Sequence, residues 1–431
     1  MCEISNQRYD GLSYVLPLPL FNICQDQAKP TMKTTSNKNI ILFTIILMDL
    51  LVGMEFDLFV PSFPELKNEF ILTPFWVEAL LSINFFGYCL GLFFVGALAD
   101  RFGRKPIILL GLTTFIVGSI LCLWAPFYAV LLSGRFLQGI GIASPAILSF
   151  LIIADTYSLK KQQYYIAMLN GLKNASVAIA PVIGSYITLY FHWRGNFTTL
   201  LLLGIITLLM TLAFIPTYEL PEQKETLSLR GYMPLFQSKS MIFLMVHLVF
   251  LFVPYWIFVG MSPLLYMQDL GVSLSHFGYY QGALALSFAV GSVGYGLMIH
   301  RFDHKKMLHL SNGIFTLSLL LIAYLAFVNS TQPLAITIAL LLFVIGQIIP
   351  STIIYPICLN LMPQLKGRVS GLVYAGSLIL QSIGLQLAGL YYVGSFRNIG
   401  IIIALFILMA IISLFFVISN RDIMNFSQRE K

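Results

Sequence analysis

Charged side chains are scarce in this chain. Asp, Glu, Lys and Arg make up 10% of its 431 residues, where a soluble domain carries about 25%, so a water-soluble globular protein is excluded. Cysteine is sparse too. The five (Cys2, Cys24, Cys89, Cys122 and Cys358) are odd in number and lack CxxC spacing, which implies neither a disulfide framework nor a thiolate metal site. The six histidines, at 192, 247, 276, 300, 304 and 309, are scattered, so no metal set or nucleophile–base pair is expected. A GxxxxGK[ST] phosphate loop is missing as well, which removes a built-in ATP motor. No cofactor is expected, and an intramembrane enzyme is a weak alternative.

What the chain has is apolar length. Hydrophobic types make up 58%, in runs of the roughly 20 residues that cross a bilayer core about 30 Å thick. Twelve spans are predicted, at 40–60, 75–98, 106–124, 127–153, 164–190, 197–215, 240–262, 275–299, 307–328, 334–359, 368–392 and 399–419. Breaks rich in Pro, Gly and charge separate them, as at 61–64, 100–106 and 363–368. Lys and Arg crowd the loops on one side, leaving only Lys67, Arg194 and Arg397 on the other. By the positive-inside rule, both termini and the central loop face the cytoplasm. The net charge of +7 thus follows from membrane topology and calls for no nucleic-acid partner.

Residues 1–39 read as a disordered cytoplasmic extension. Leu16-Pro17-Leu18-Pro19 breaks its one apolar stretch, no small-residue cleavage site follows, and Met32 offers an alternative start of translation. Beyond it lie a first bundle (40–215), a cytoplasmic linker (216–239), a second bundle (240–419) and a tail (420–431). The halves repeat at an offset of 200 residues: Gly96, Arg101, Phe102 and Lys105 recur as Gly296, Arg301, Phe302 and Lys305. Parallel repeats of this kind are a transporter signature.

Five motifs carry a family resemblance. Gly96-Ala-Leu-Ala-Asp100-Arg101-Phe-Gly103-Arg104-Lys105 resembles the loop between the second and third spans of the major facilitator superfamily. There Gly96 is expected to let helices approach closely, Asp100 to cap a charge cluster, and the basic residues to pair with acids such as Asp155 as two bundles rock. Arg135-Phe-Leu-Gln-Gly-Ile-Gly141 is similar to the fourth-span motif of the drug:proton antiporter branch. Ala180-Pro181-Val-Ile-Gly184-Ser185 matches that branch's fifth-span motif in part, with Ala180 and Ser185 where Gly is usual. His192-Trp193-Arg194 resembles the junction into the sixth span. Asp57-Leu-Phe-Val-Pro61-Ser-Phe-Pro64 looks like the first-span pattern of the bicyclomycin and chloramphenicol resistance subfamily, with Phe59 in place of Tyr. The resemblance covers about 390 residues and implies an all-α fold of twelve transmembrane helices in two pseudo-symmetric six-helix bundles.

Three carboxylates in the first span, Asp49, Glu55 and Asp57, are too costly to leave ionised and unpaired in hydrocarbon, as is Arg135, whose partner is expected among them. On a continuous helix at 100° per residue all three cannot share one face. The resemblance maps Asp49 and Asp57 onto a proton-coupling pair and leaves Glu55 as an extra. Cavity candidates are Asn84, Tyr88, Asn170, Asn174, Tyr255, Trp256, Gln281, Gln347 and Gln381, with Gln386 and Lys173 less specific and Tyr266 read as part of an interfacial aromatic belt. The implied activity is proton-coupled export of small amphipathic compounds by alternating access, from a monomer in a bacterial inner membrane. Its partners are lipid, protons and a small-molecule substrate. A siderophore or metabolite carrier of the same fold is the alternative.

Overall fold

In the computed structural model, residues 38–157, 159–217, 233–362 and 365–429 are described. The predicted N-terminal extension up to residue 37, most of the 216–239 linker and the last two residues of the tail lie outside them, as do the side chains of Asp100 and Asn170. Every regular element among the described residues is helical.

The first crossing, α1 (Lys38–Met54), stops six residues short of its expected end. A continued helix would drive the Pro61 ring into the carbonyl four residues back. The chain therefore turns through 55–59, makes a 3₁₀ turn at Val60–Ser62 and enters the short α2 (Phe63–Glu69). Next come α3 (Pro74–Phe102), α4 (Arg104–Leu123), α5 (Tyr128–Thr156) and α6 (Leu159–Phe214). After α7 (Met233–Gln237), the second half opens with α8 (Lys239–Leu251) and α9 (Val253–Ser262), split before Pro254 and continued by a π-helical turn at Pro263–Asp269. It ends with α10 (Leu274–Met298), α11 (His304–Phe327), α12 (Pro333–Leu361), α13 (Lys366–Tyr391), α14 (Phe396–Ser419) and the short α15 (Arg421–Arg429).

Ten helical stretches are long and apolar enough to cross a membrane, and they account for twelve crossings. The 17-residue α1 adds one. The other comes from α6, whose 56 residues would reach about 84 Å at 1.5 Å each, too long for one passage. Its two arms, 159–191 and 193–214, meet at His192, where φ is 59°. No loop separates the fifth and sixth crossings, contrary to the expected break at 191–196. The joint is closed from α2 instead. Glu65 takes His192 Nδ1 at 2.8 Å and the Trp193 backbone N–H at 2.9 Å, while Glu69 accepts the Trp193 indole N–H and pairs with Arg194 at 3.0 Å.

The two halves meet along two seams, α3 with α13 and α6 with α10. The face on which α1 begins and α14 ends is termed terminal, and the opposite face distal. Toward the distal face the seams are tight. A Cβ on Gly278 of α10 would sit 2.7 Å from the Pro181 carbonyl oxygen of α6, and Ser82 and Ser382 exchange hydroxyl-to-carbonyl hydrogen bonds at 3.3 Å between α3 and α13. Toward the terminal face the same four helices part, and Gly96, Gly171, Gly294, Gly296 and Gly371 have open space beside them. The result is a cleft between the halves, open at the terminal end and closed at the distal end. Gly96 therefore makes no close helix contact, contrary to expectation, because it lies where the halves have separated.

Candidate functional site: a buried charge network at the seam

The acids at the end of α1 meet different partners. Glu55, still tied to α1 by its backbone hydrogen bond to the Leu51 carbonyl at 3.1 Å, faces α5, and Arg135 Nη1 donates to Glu55 Oε1 at 2.7 Å with both side chains fully buried. Asn84 donates to the same oxygen at 2.8 Å and to the Arg135 carbonyl at 2.9 Å. Arg135 Nη1 also donates to Gln138 Oε1 at 2.7 Å, and Gln138 passes the chain on to the Ser119 hydroxyl at 2.9 Å. The guanidinium carbon lies 4.0 Å from the centre of the Phe59 ring, a cation–π arrangement. The residue read as an extra is thus the arginine's partner. Asn84, read as lining a cavity, is a strut of this network. Gln138 and Ser119 were missed, although Gln138 stands in the quoted motif three residues after Arg135, one helical turn away.

Asp57 points elsewhere. It is buried at the α6–α10 seam, where Gln281 of the other half donates to its Oδ1 at 3.0 Å and Oδ2 has no hydrogen-bond partner. Gln281 is thus a cross-half ligand of the acid. Asp49, also buried, accepts from Ser149 at 3.4 Å and interacts electrostatically with Lys173 of α6. Asp49 and Asp57 accordingly hold separate environments, one facing Lys173 inside the N-terminal half and one crossing to the C-terminal half.

The antiporter-type motif on α6 lies against Asp57's turn. A Cβ on Gly184 would fall 1.9 Å from the Leu58 carbonyl oxygen, so only glycine lets α6 pack on the unwound segment. Pro181 supplies the carbonyl that meets Gly278.

A cavity of about 160 Å³ joins the halves nearby, lined by Asn174 and Val177 of α6 with Phe252, Tyr255, Trp256, Phe288 and Gln347. Asn174, Tyr255, Trp256 and Gln347 thus converge as expected, and the Gln347 Nε2 and Tyr255 hydroxyl have no hydrogen-bond partner. Trp256 packs edge-on to Phe85 (centroids 4.9 Å apart) and Phe56 (6.0 Å), and Tyr88 lies tilted against Phe56 at 5.6 Å, so Tyr88 belongs to this aromatic layer. Gln381 bonds within its own helix to Ser377, and Gln386 crosses the seam to Ser82. Tyr266 is fully buried against Thr337 and the Pro333 carbonyl, a helix tie and not an interfacial belt, because the π-helical turn directs it inward. Glu78, a fully buried carboxylate one turn into α3, was overlooked, since an acid so close to Pro74 reads as part of a polar span end.

The sequence matches the Major Facilitator Superfamily over residues 45–385, most of the chain. It belongs to that superfamily. Among curated members, a bicyclomycin resistance protein homolog of Haemophilus influenzae is 25% identical over 339 residues, covering 78% of this chain and 85% of its own. Multidrug resistance protein MdtL of Salmonella heidelberg is 28% identical over 269 residues, covering 62% and 68%. A solved bacterial homolog of the human lysosomal transporter Spinster superposes with a TM-score of 0.70 at 15% identity, over 91% of this chain and 98% of that one, a likeness of fold.

The superfamily's loop between α3 and α4 is arranged as a charged clasp on the terminal face. Gly103 adopts φ 95°, a left-handed value that suits glycine, and links the two helices directly. Arg104 lies 3.6 Å from Asp155 at the end of α5, as expected, and Lys105 donates to the Leu212 carbonyl of α6 at 2.8 Å. Arg101 is exposed and lies over the Phe102 ring.

Proposed function

We propose that this protein is a proton-coupled exporter of small amphipathic compounds, working by alternating access in a bacterial inner membrane with its terminal face in the cytoplasm. The observation that carries this reading is Asp57. It is a buried acid at the meeting point of the two halves, held by a single amide from the opposite half, beside a cavity both halves line. An ionised carboxylate there is costly, so the site favours either a bound proton or a bound cation. Competition between the two for one carboxylate couples outward movement of a cationic compound to inward movement of a proton, with the proton gradient as the energy source. Glu55, locked to Arg135 by charge-assisted bonds, serves as the fixed charge that holds the unwound turn in place. The resistance functions in the names of the two curated relatives and the basic terminal loops support the same reading.

The test is proton release on compound addition, followed with a pH-sensitive dye for purified wild type and Asp57→Asn across a panel of cationic drugs. Wild type is expected to release protons and the variant none. Binding to wild type without release sinks the competition mechanism.

A further inference from the structure

Glu78 sits alone. It is fully buried, and neither carboxyl oxygen has a hydrogen-bond partner. Its notch is cut by glycines of the opposite half. A Cβ on Gly260 of α9 would stand 2.1 Å from Glu78 Oε2, and one on Gly389 of α13 would stand 3.1 Å from its Cγ. The pseudo-symmetric position is instructive. Raising the first-half number by 200 and lowering the second-half number by 200 turns the contact of Ser82 with Ser382 into that of Gly282 with Val182, so one seam maps onto the other. Glu78 then maps onto Gly278, which packs directly against the α6 backbone. One seam closes glycine on backbone, whereas the other closes over a carboxyl group.

The titratable residues on the elements around it are Tyr255 on α9, Tyr374 and Tyr391 on α13 with Lys366 and Arg368 at its far terminal end, Tyr88, Cys89, Asp100 and Arg101 further along α3, and, on α5 behind α3, Arg135 and Tyr128, which donate to the Leu80 and Trp76 carbonyls. None of the described side chains among them bonds to Glu78, and no ion pair among the described residues reaches it. An unpaired ionised carboxylate in such a place is strongly unfavourable, so the notch accepts the neutral acid and rejects the anion. Parting α3 from α9 and α13 is the movement that would bring water to it.

We infer that Glu78 is a second proton-binding site, which holds a proton while the distal seam is closed and releases it when the seam opens. The inference rests on the alternating-access part of the function proposed above but not on the identity of the cargo. The aromatic layer of Phe56, Phe85 and Trp256 lies further along α3 toward the cleft and separates this carboxyl from it. The proton therefore returns to the distal side from which it came, making the site a gate that senses external pH and adds no transported ion. Because the closed state binds one proton more than the open state, raising the pH favours opening. The open-to-closed ratio climbs about tenfold per pH unit over the range where only the open form is ionised.

The experiment places spin labels at Ile71 and Val393, exposed residues at the distal ends of the two halves, in the full chain in lipid nanodiscs. Asp57→Asn serves as background, so that the coupling site is silent. Distances are measured against pH with and without a transported compound. The background protein is expected to open with rising pH, Glu78→Gln to stay closed throughout, and Glu78→Asp to restore the slope. An unchanged slope in Glu78→Gln, with a cationic drug still moving the labels in protein that keeps Asp57, overturns the gate alone. Labels that neither pH nor any compound moves, in wild type as well, overturn both the gate and the alternating-access reading.

Discussion

Within its crossings the N-terminal half holds Asp49, Glu55, Asp57, Glu78, Arg135 and Lys173, whereas the described crossings of the C-terminal half keep their Lys, Arg, Asp and Glu to the helix ends. Where the first half has carboxylates, the second offers Gln281, Gln347, Gln381 and a buried His247 bonded to Ser413. The helices correspond nearly residue for residue, as α3 and α10 do from Pro74 and Leu274 onward. Duplication therefore supplied the scaffold twice but the ionisable chemistry once. The second half contributes neutral groups that can face a charge without fixing it: the Gln281 amide for Asp57, and the Gly260 and Gly389 notch for Glu78.

Three substitutions sharpen that contrast. The largest effect is expected inside the charged half. Arg135→Ala strands a buried Glu55 and should cost about 3–5 kcal/mol, read as a loss of thermal stability in detergent. Adding Glu55→Gln should recover much of it, because the uncompensated charge goes. If the single variant melts like wild type, the pair is not the anchor described here. Next comes the neutral seam. Gly278→Leu forces a side chain onto the Pro181 carbonyl and should cost about 1–3 kcal/mol, with distal-end distances lengthened; an unaltered distance would show that the seam tolerates separation. The smallest effect is Gln281→Ala, which removes one interhelical hydrogen bond worth about 0.6–1.7 kcal/mol. Stability should barely move, while the pH at which compound binding releases protons shifts. An unshifted profile would mean that the amide only packs.

Much of this was legible in the sequence. The apolar runs gave all twelve crossings, and the loop motif gave Arg104 with Asp155. What escaped was what depends on departures from regular helix. The family resemblance paired Asp49 with Asp57 and set Glu55 aside, whereas Glu55 is the acid that the buried Arg135 takes and Asp57 turns to Gln281 of the other half. The break at 191–196 was expected but not its form: the chain turns at His192 without a loop, since the joint is closed by Glu65 and Glu69, far away in sequence. Glu78 was hidden for a related reason. Its environment is made by glycines of α9 and α13, and a glycine opposite leaves no mark on the acid's own segment.

The clasp of α2 on that joint has a mechanical consequence. With the exit of the first crossing tied to the fifth and sixth through Glu65 and Glu69, a tug on the turn bearing Asp57 cannot be lost in bending one helix. The first half behaves as a stiff lever whose distal end touches the other half at the Lys67–Gln268 hydrogen bond, 2.9 Å long. Under the coupling proposed above, protonation of one side chain would be geared into rotation of a whole half, with the stiffness of that short clasp setting how much of the push reaches the far end.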